Sequence, residues 1–209
     1  MGEIKIGQIV MGMYCTNCYF AHRDNSDEAI VFDPADSGEY IYKTLADKGM
    51  KVKAIMLTHG HFDHIYGVDE LRKLAGCEVY AYEGETQLLS DPELNCSIQV
   101  GRPATVVTDV TLKDNEEVTI ADIRIKVIHT PGHTAGSACY LIEEGEFIVS
   151  GDTLFNQSIG RSDLPTGSAS LLIRSVKEKL MTMPDEYAVY PGHGEATTIG
   201  YERNNNPFL

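Results

Sequence analysis

Apolar residues along the chain fall in short runs of strand length, separated by polar, glycine-containing stretches. One set lies near residues 4–10, 18–22, 29–33, 54–57 and 78–81; a second lies near 118–120, 123–129, 138–142, 147–151 and 187–190. Runs this short, bounded by turn formers, predict buried strands. The period changes to helical over 38–48 and over 65–75, where Ile65, Val68, Leu71 and Leu74 recur and Gly76 is placed to end the helix. A third helix is predicted over 169–182, capped by Ser170 or a neighbour. Leu171, Leu172, Val176 and Leu180 would face inward there, with Pro184 closing it. Strands alternating with helices, without repeats or a low-complexity linker, predict an α/β fold. The chain of 209 residues is expected to form one domain, 1–209, large enough for a substantial core.

Ligand-type side chains cluster at the ends of these predicted strands. Residues 58–64 read Thr-His-Gly-His-Phe-Asp-His, so three of the seven histidines fall within six positions. Imidazole and carboxylate suit zinc, iron and manganese. In an extended segment residues two apart face the same side, so His59 and His61 can chelate one ion. Asp63 and His64, at the helix entry, can turn toward a second. His133 follows the run 123–128, Asp152 follows Phe147-Ile148-Val149, and His193 follows 187–190, each beside a glycine. Glycine lets the backbone turn sharply and approach a ligand closely.

His59-x-His61-x-Asp63-His64, with Gly132-His133, Gly151-Asp152 and Gly192-His193-Gly194, resembles the metallo-β-lactamase superfamily. Within it the chain is most similar to glyoxalase II-like hydrolases, the hydroxyacylglutathione hydrolases. The segment Gly151-Asp152-Thr153-Leu154-Phe155, followed by Ser158–Pro165, is similar to a short single-domain bacterial branch. The resemblance runs from about Asn17 to the C-terminus. It implies a four-layer αββα sandwich, with mixed sheets and helices on both outer faces. It also implies two divalent metal ions, zinc first, with iron or manganese as alternatives. One ion would take His59, His61 and His133, the other Asp63, His64 and His193, with Asp152 bridging.

Such a centre implies hydrolysis of an activated acyl bond. Metal binding lowers the pKa of water from 15.7 to roughly 7, and a second cation polarises the carbonyl under attack. Asp63 and Asp152 are the residues expected to take part in catalysis, Asp63 by orienting the attacking hydroxide. A thioester such as S-lactoylglutathione fits, because a thiolate leaves without a strong general acid. A second branch of the resemblance implies instead an iron persulfide dioxygenase using His59, His133 and Asp152. A lactone hydrolase is a third reading.

Composition narrows the partners. Seventeen Lys and Arg against 31 Asp and Glu leave a formal charge of −14, which argues against a nucleic-acid surface. No apolar run approaches membrane-spanning length, and the N-terminus lacks a secretory pattern. A cytoplasmic enzyme acting on a small molecule is expected, with oligomeric state open. Five cysteines form no even disulfide framework. Cys15-Thr16-Asn17-Cys18 has redox or zinc-knuckle spacing, but no second pair lies nearby and Cys18 is expected to be a packing residue. His22 and His129 are expected to be structural.

Substrate contacts are less legible. Arg161 follows the Asp152 loop and would either meet a substrate carboxylate bidentately or pair with Asp163. Tyr190 and Phe155 are expected at the mouth of the site, and residues 83–104 as a flap over it. Only 16 residues follow His193, so the helical domain that completes a glutathione pocket in longer relatives is not expected.

Overall fold

The strand-length apolar runs assemble into two six-stranded mixed sheets packed face to face. The computed structural model describes residues 2–209. The first sheet holds β1 (Ile4–Met11), β2 (Thr16–Arg23), β3 (Glu28–Phe32), β4 (Lys51–Leu57), β5 (Glu78–Tyr82) and β6 (Val110–Leu112), in that spatial order. The second holds β7 (Glu117–Ile120), β8 (Ile123–His129), β9 (Ala138–Ile142), β10 (Phe147–Gly151), β13 (Ala188–Pro191) and β14 (Thr197–Thr198). A small ribbon of β11 (Leu154–Phe155) and β12 (Ser158–Ile159) follows β10.

Helices α1 (Gly38–Asp47) and α3 (Val68–Ala75) cover the first sheet, and α5 (Ala169–Ser175) with α6 (Ile199–Asn205) the second. Alternation within a strand sorts the side chains. Ala54 and Met56 of β4 enter the layer between the sheets, with Ile30, Phe32, Ile125, Val127 and Tyr140. Ile55 and Leu57 point the other way, against Ile41, Leu45, Val68 and Leu71. On the far side Leu141, Ile148 and Val189 pack against Val176, Leu180 and Ile199. Both faces of the central strands are buried, which is why their sequences read as continuous apolar runs. The result is the expected αββα sandwich.

Topology decides where the functional loops emerge. β3 and β4 are parallel, so Asp33 and Thr58, just past their C-terminal ends, lie side by side. β8 and β10 each pair antiparallel with β9, and β13 pairs parallel with β10, so β8, β10 and β13 share a direction. Their three C-terminal loops therefore open on one edge. Ala138 N–H donates to Thr58 O at 2.9 Å, joining the two sheets at that edge.

Several element boundaries differ from the pattern reading. The helix expected over 65–75 is two pieces, α2 (Phe62–Ile65) and α3. The chain breaks at Gly67, whose N–H donates to Pro34 O at 2.8 Å and where a Cβ would strike the backbone of Pro34 and Asp36. Leu171, read as inward, is exposed, as is Leu74 of the periodic set, so the helical stripe is narrower than the periodicity suggested. The helix at 169–182 is capped by Ser168, a neighbour of Ser170, and past Ser175 it widens, Met181 N–H reaching Val176 O. β6, β11, β12, β14 and α6 are too short to leave a period in sequence. Residues 83–104 are not a flap: α4 (Thr86–Ser90) buries Leu88 and Leu89, and Glu85, Asn95 and Ser97 are also buried. Its inner positions up to Ser97 pack as a wall, with Asn95 O accepting from Phe62 N–H at 3.1 Å, while residues 98–103 stay exposed.

Candidate metal centre

The loop after β4 carries His59, His61, Asp63 and His64, and the loops after β8, β10 and β13 bring His133, Asp152 and His193 to it. His59, His61, His64 and His133 are buried, whereas Asp63, Asp152 and His193 keep some exposure. Close approach depends on two glycines. Gly151 has φ 50°, and a Cβ there would collide with Thr58 Oγ1. A Cβ at Gly192 would collide with the Asp152 carboxylate and the His64 ring.

The seven side chains form two groups linked by one carboxylate. In the first, His133 Nε2 lies 2.8 Å from His61 Nδ1 and 3.2 Å from His59 Nε2. In the second, Asp63 Oδ2 lies 3.3 Å from His193 Nε2 and 3.8 Å from His64 Nε2. Asp152 reaches both, with Oδ2 3.5 Å from His133 Nε2 and 3.6 Å from His193 Nε2, and Oδ1 3.5 Å from His64 Nε2. A third constellation, Asp33 with His59 and His64, also has ligand-type atoms in reach of one another. Its carboxylate is already taken by hydrogen bonds, so Asp33 supports the ligands rather than joining them.

Outer partners fix which nitrogen each ring presents. His64 Nδ1 donates to Asp33 Oδ2 at 3.0 Å, His133 Nδ1 to Arg161 O at 2.7 Å and His193 Nδ1 to Tyr14 O at 3.1 Å. Thr58 Oγ1 donates to Asp33 Oδ2 at 2.6 Å, leaving its lone pair for the Nδ1–H of His59 at 3.1 Å. All four rings therefore turn Nε2 inward, the nitrogen left free by these outer bonds. This carboxylate- and carbonyl-backed arrangement is the usual support of metal-ligating histidine. His61 differs in presenting Nδ1. The inward atoms His64 Nε2 and Asp152 Oδ1 are buried without a hydrogen-bond partner, as is His61 Nε2. Unpaired buried polar atoms are costly, and converging lone pairs of nitrogen and oxygen fit divalent cations.

Charge divides the site in the same way. Burial drives the pKa of His59 and His61 well below the ordinary 6.5, reinforced by the neighbouring rings, and lowers that of His133. His64 is buried too, but the Asp152, Asp63 and Asp33 carboxylates outweigh that cost and push it up to about 10. Burial likewise opposes protonation of His193, yet Asp63 and Asp152 raise its pKa. Burial works against ionised Asp63, but the His64 and His193 rings hold it well below the usual carboxylate range.

A cavity of about 470 Å³ opens onto the centre, lined by Tyr14, Phe62, Phe155, Arg161 and Leu164 besides the ligands. Phe155 thus stands at the mouth as expected. Tyr190 does not: its ring packs 5.4 Å from Tyr19 and 5.5 Å from Phe147, within the layer between the sheets. The alternation of β13 turns this side chain away from the cavity. Arg161 lines the cavity while its guanidinium forks onto Asp163, with both bonds 2.7 Å. His129 lies apart from the ligands, stacked on Tyr82 with Nε2 2.8 Å from Ala135 O. Cys15 is exposed, Cys18 is buried among core residues, and both are free thiols.

Pattern reading missed the supports. Asp33 carried a usable signal, an aspartate directly after the apolar run 29–32 and before Pro34, as the ligand loops do. Asn17 gave a weaker one: its side-chain N–H groups donate to Pro191 O at 2.8 Å and Gly194 O at 2.9 Å, clamping the His193 loop. Glu85 gave none, lying in a polar stretch of no clear period.

An αββα sandwich with a histidine- and aspartate-lined centre at its loop edge defines a metal-dependent hydrolase class. The chain belongs to the metallo-β-lactamase superfamily, whose family model matches residues 14–193. It is 36% identical to a probable metallo-hydrolase, YqgX, of Bacillus subtilis, over 99% of this chain and 98% of that protein. It is 32% identical to the hydroxyacylglutathione hydrolase GloC of Haemophilus influenzae, over 92% of each. Among solved structures, the BLEG-1 B3 metallo-β-lactamase is similar at a TM-score of 0.94 and 40% identity, covering 98% of this chain and 99% of that one. A di-iron-bound form of TTHA1623 is similar at 0.88 and 31%, covering 97% and 100%.

Proposed function

We propose that this chain is a binuclear metal hydrolase that cleaves a thioester or a similarly activated acyl bond of a small, S-lactoylglutathione-like substrate. The observation that carries the reading is Asp152, whose carboxylate lies 3.5–3.6 Å from His64, His133 and His193 and so spans both ligand groups. His59, His61 and His133 would hold one ion, and Asp63, His64 and His193 the other. Zinc is the first choice, with iron or manganese as alternatives. A pair of divalent ions here supplies an activated water at neutral pH and polarises the scissile carbonyl.

The chain's own groups account for the rest. Asp63 Oδ2 accepts from Thr16 Oγ1 at 3.3 Å, which holds this carboxylate at the floor of the cavity, where it can orient the attacking water. The cavity volume suits a small acyl group with part of its carrier. Arg161 is the cation on its wall, and a substrate carboxylate would compete with Asp163 for its fork. A thiolate leaving group needs no acid from the wall, and apart from Arg161 and the ligands that wall is aromatic and aliphatic. The similarity to GloC supports a glutathione thioester, and the similarity to BLEG-1 makes β-lactams the first competitor to test.

The test is a metal-defined assay of the purified chain against thioesters, lactones, β-lactams and glutathione persulfide. Thioester turnover that tracks about two ions per chain is expected. Oxygen uptake with persulfide at one iron per chain, without acyl turnover, would replace this reading with the dioxygenase one.

A further inference from the structure

Among the described residues Glu85, like Asp33, is a buried carboxylate at the loop edge that belongs to neither ligand group. It is 1% exposed, just before α4 in the wall formed by residues 83–97. Its Oε1 accepts from Gly60 N–H at 2.8 Å. Its Oε2 accepts from Thr134 Oγ1 and from Gly136 N–H, each at 3.0 Å. Gly60 sits between His59 and His61, and Thr134 follows His133. One side chain therefore ties together the two loops that supply the whole three-histidine group. It makes no hydrogen bond to Asp63, His64 or His193.

The local sequence is built to admit it. A Cβ on Gly136 would strike Glu85, and a Cβ on Gly60 would strike Leu88 and Leu89 of α4. Three donors and no acceptor converge on the two oxygens, which suits the ionised form. Among the described residues no cationic side chain lies within salt-bridge distance of it. Burial accordingly pushes its pKa up to about 7, with the three hydrogen bonds working the other way. A buried charge held by hydrogen bonds alone is costly, and removing it would leave its three donors unpaired. Its place between two ligand loops gives it a use.

We propose that Glu85 is a positioning residue that sets the spacing of the loops bearing His59, His61 and His133, and so controls affinity at that half of the centre alone. The other half has a separate anchor, since Asp33 bonds His64 directly and reaches His59 through Thr58. Glu85 thus braces the three-histidine loops only, whereas Asp33 holds His64 directly and touches the other half only through Thr58 and the His59 ring. The inference rests on the two-ion reading above.

Glu85→Gln keeps the shape but offers one oxygen and an NH2 group. One of the converging N–H groups would then face a donor. The test measures zinc affinity by chelator competition in two backgrounds, His193→Ala to isolate the three-histidine group and His133→Ala to isolate the other. Glu85→Gln should weaken zinc about 10–100-fold in the first, the range for outer supports of metal ligands. It should change affinity by no more than about twofold in the second, as for uncoupled sites. Thr134→Val, which removes one of the three donors and leaves the carboxylate in place, should shift the first background in the same direction by less. It serves in place of Glu85→Gln if that variant does not fold. Equal weakening in both backgrounds, or none in the first, overturns the proposal. Failure of the unsubstituted protein to bind two ions would instead remove the two-ion reading, so the two failures are distinguishable.

Discussion

Asp33 Oδ2 lies 3.0 Å from His64 Nδ1 and 2.6 Å from Thr58 Oγ1, so one carboxylate at the end of β3 orients a ring in the loop after β4. Asp33 also accepts from Thr58 N–H at 2.8 Å. Its left-handed φ of 48° is one that asparagine tolerates. Asp33→Asn should therefore fold, yet lose the anion behind His64. Zinc affinity in the His133→Ala background should fall about 10–100-fold. Unchanged affinity in chelator competition would show that Asp33 does not tune this ligand.

Asp152→Ala removes the group shared by both halves. Its Oδ1 has no hydrogen-bond partner, so the fold loses little. Turnover should drop to background and the ion count per chain should fall, while the melting temperature of the metal-free protein stays within a few degrees. Normal turnover in a steady-state assay would contradict the spanning role.

Zinc loading should release protons. In the metal-free protein His64 titrates near 10 rather than 6.5, so at pH 8 it holds a proton that the ion must displace. About one proton should appear from His64, with a further fraction from His193. His59 and His61 should contribute none, since burial keeps them neutral. Affinity at the His64 half should rise about tenfold per pH unit until it levels off near 10. The sign for metal-free stability is opposite: a raised pKa stabilises below 6.5, and that contribution is lost as pH rises through about 10. Zinc addition in weak buffer, followed with a pH indicator, checks this; no acidification would refute it.

Arg161→Ala should leave stability nearly unchanged, because the Arg161–Asp163 pair is well exposed and such pairs contribute little. KM for anionic thioesters should rise more than KM for neutral ones. Equal changes would assign Arg161 to holding its own loop, whose carbonyl supports His133.

Cys15→Ser should leave turnover near that of the unsubstituted chain, since Cys15 lies on the exposed turn before β2 and forms no disulfide. A large loss in the same assay would revive a redox role for the Cys15–Cys18 spacing.

Sequence alone determined the ligand types and their strand-end positions. Local chemistry writes such features plainly: an imidazole or carboxylate beside glycine after an apolar run needs no tertiary partner to be visible. The α/β pattern of the central strands was legible for the same reason, because burial on both faces leaves unbroken apolar runs such as Ala54–Leu57. Only the tertiary structure decided which loops share an edge, since that follows from the parallel pairing of β3 with β4 and of β10 with β13. It alone placed Tyr190 in the core, split the helix at Gly67, and brought Glu85 and Asp33 behind the ligands. These are contacts across long sequence separations, set by packing between layers, and no periodicity within a single segment records them.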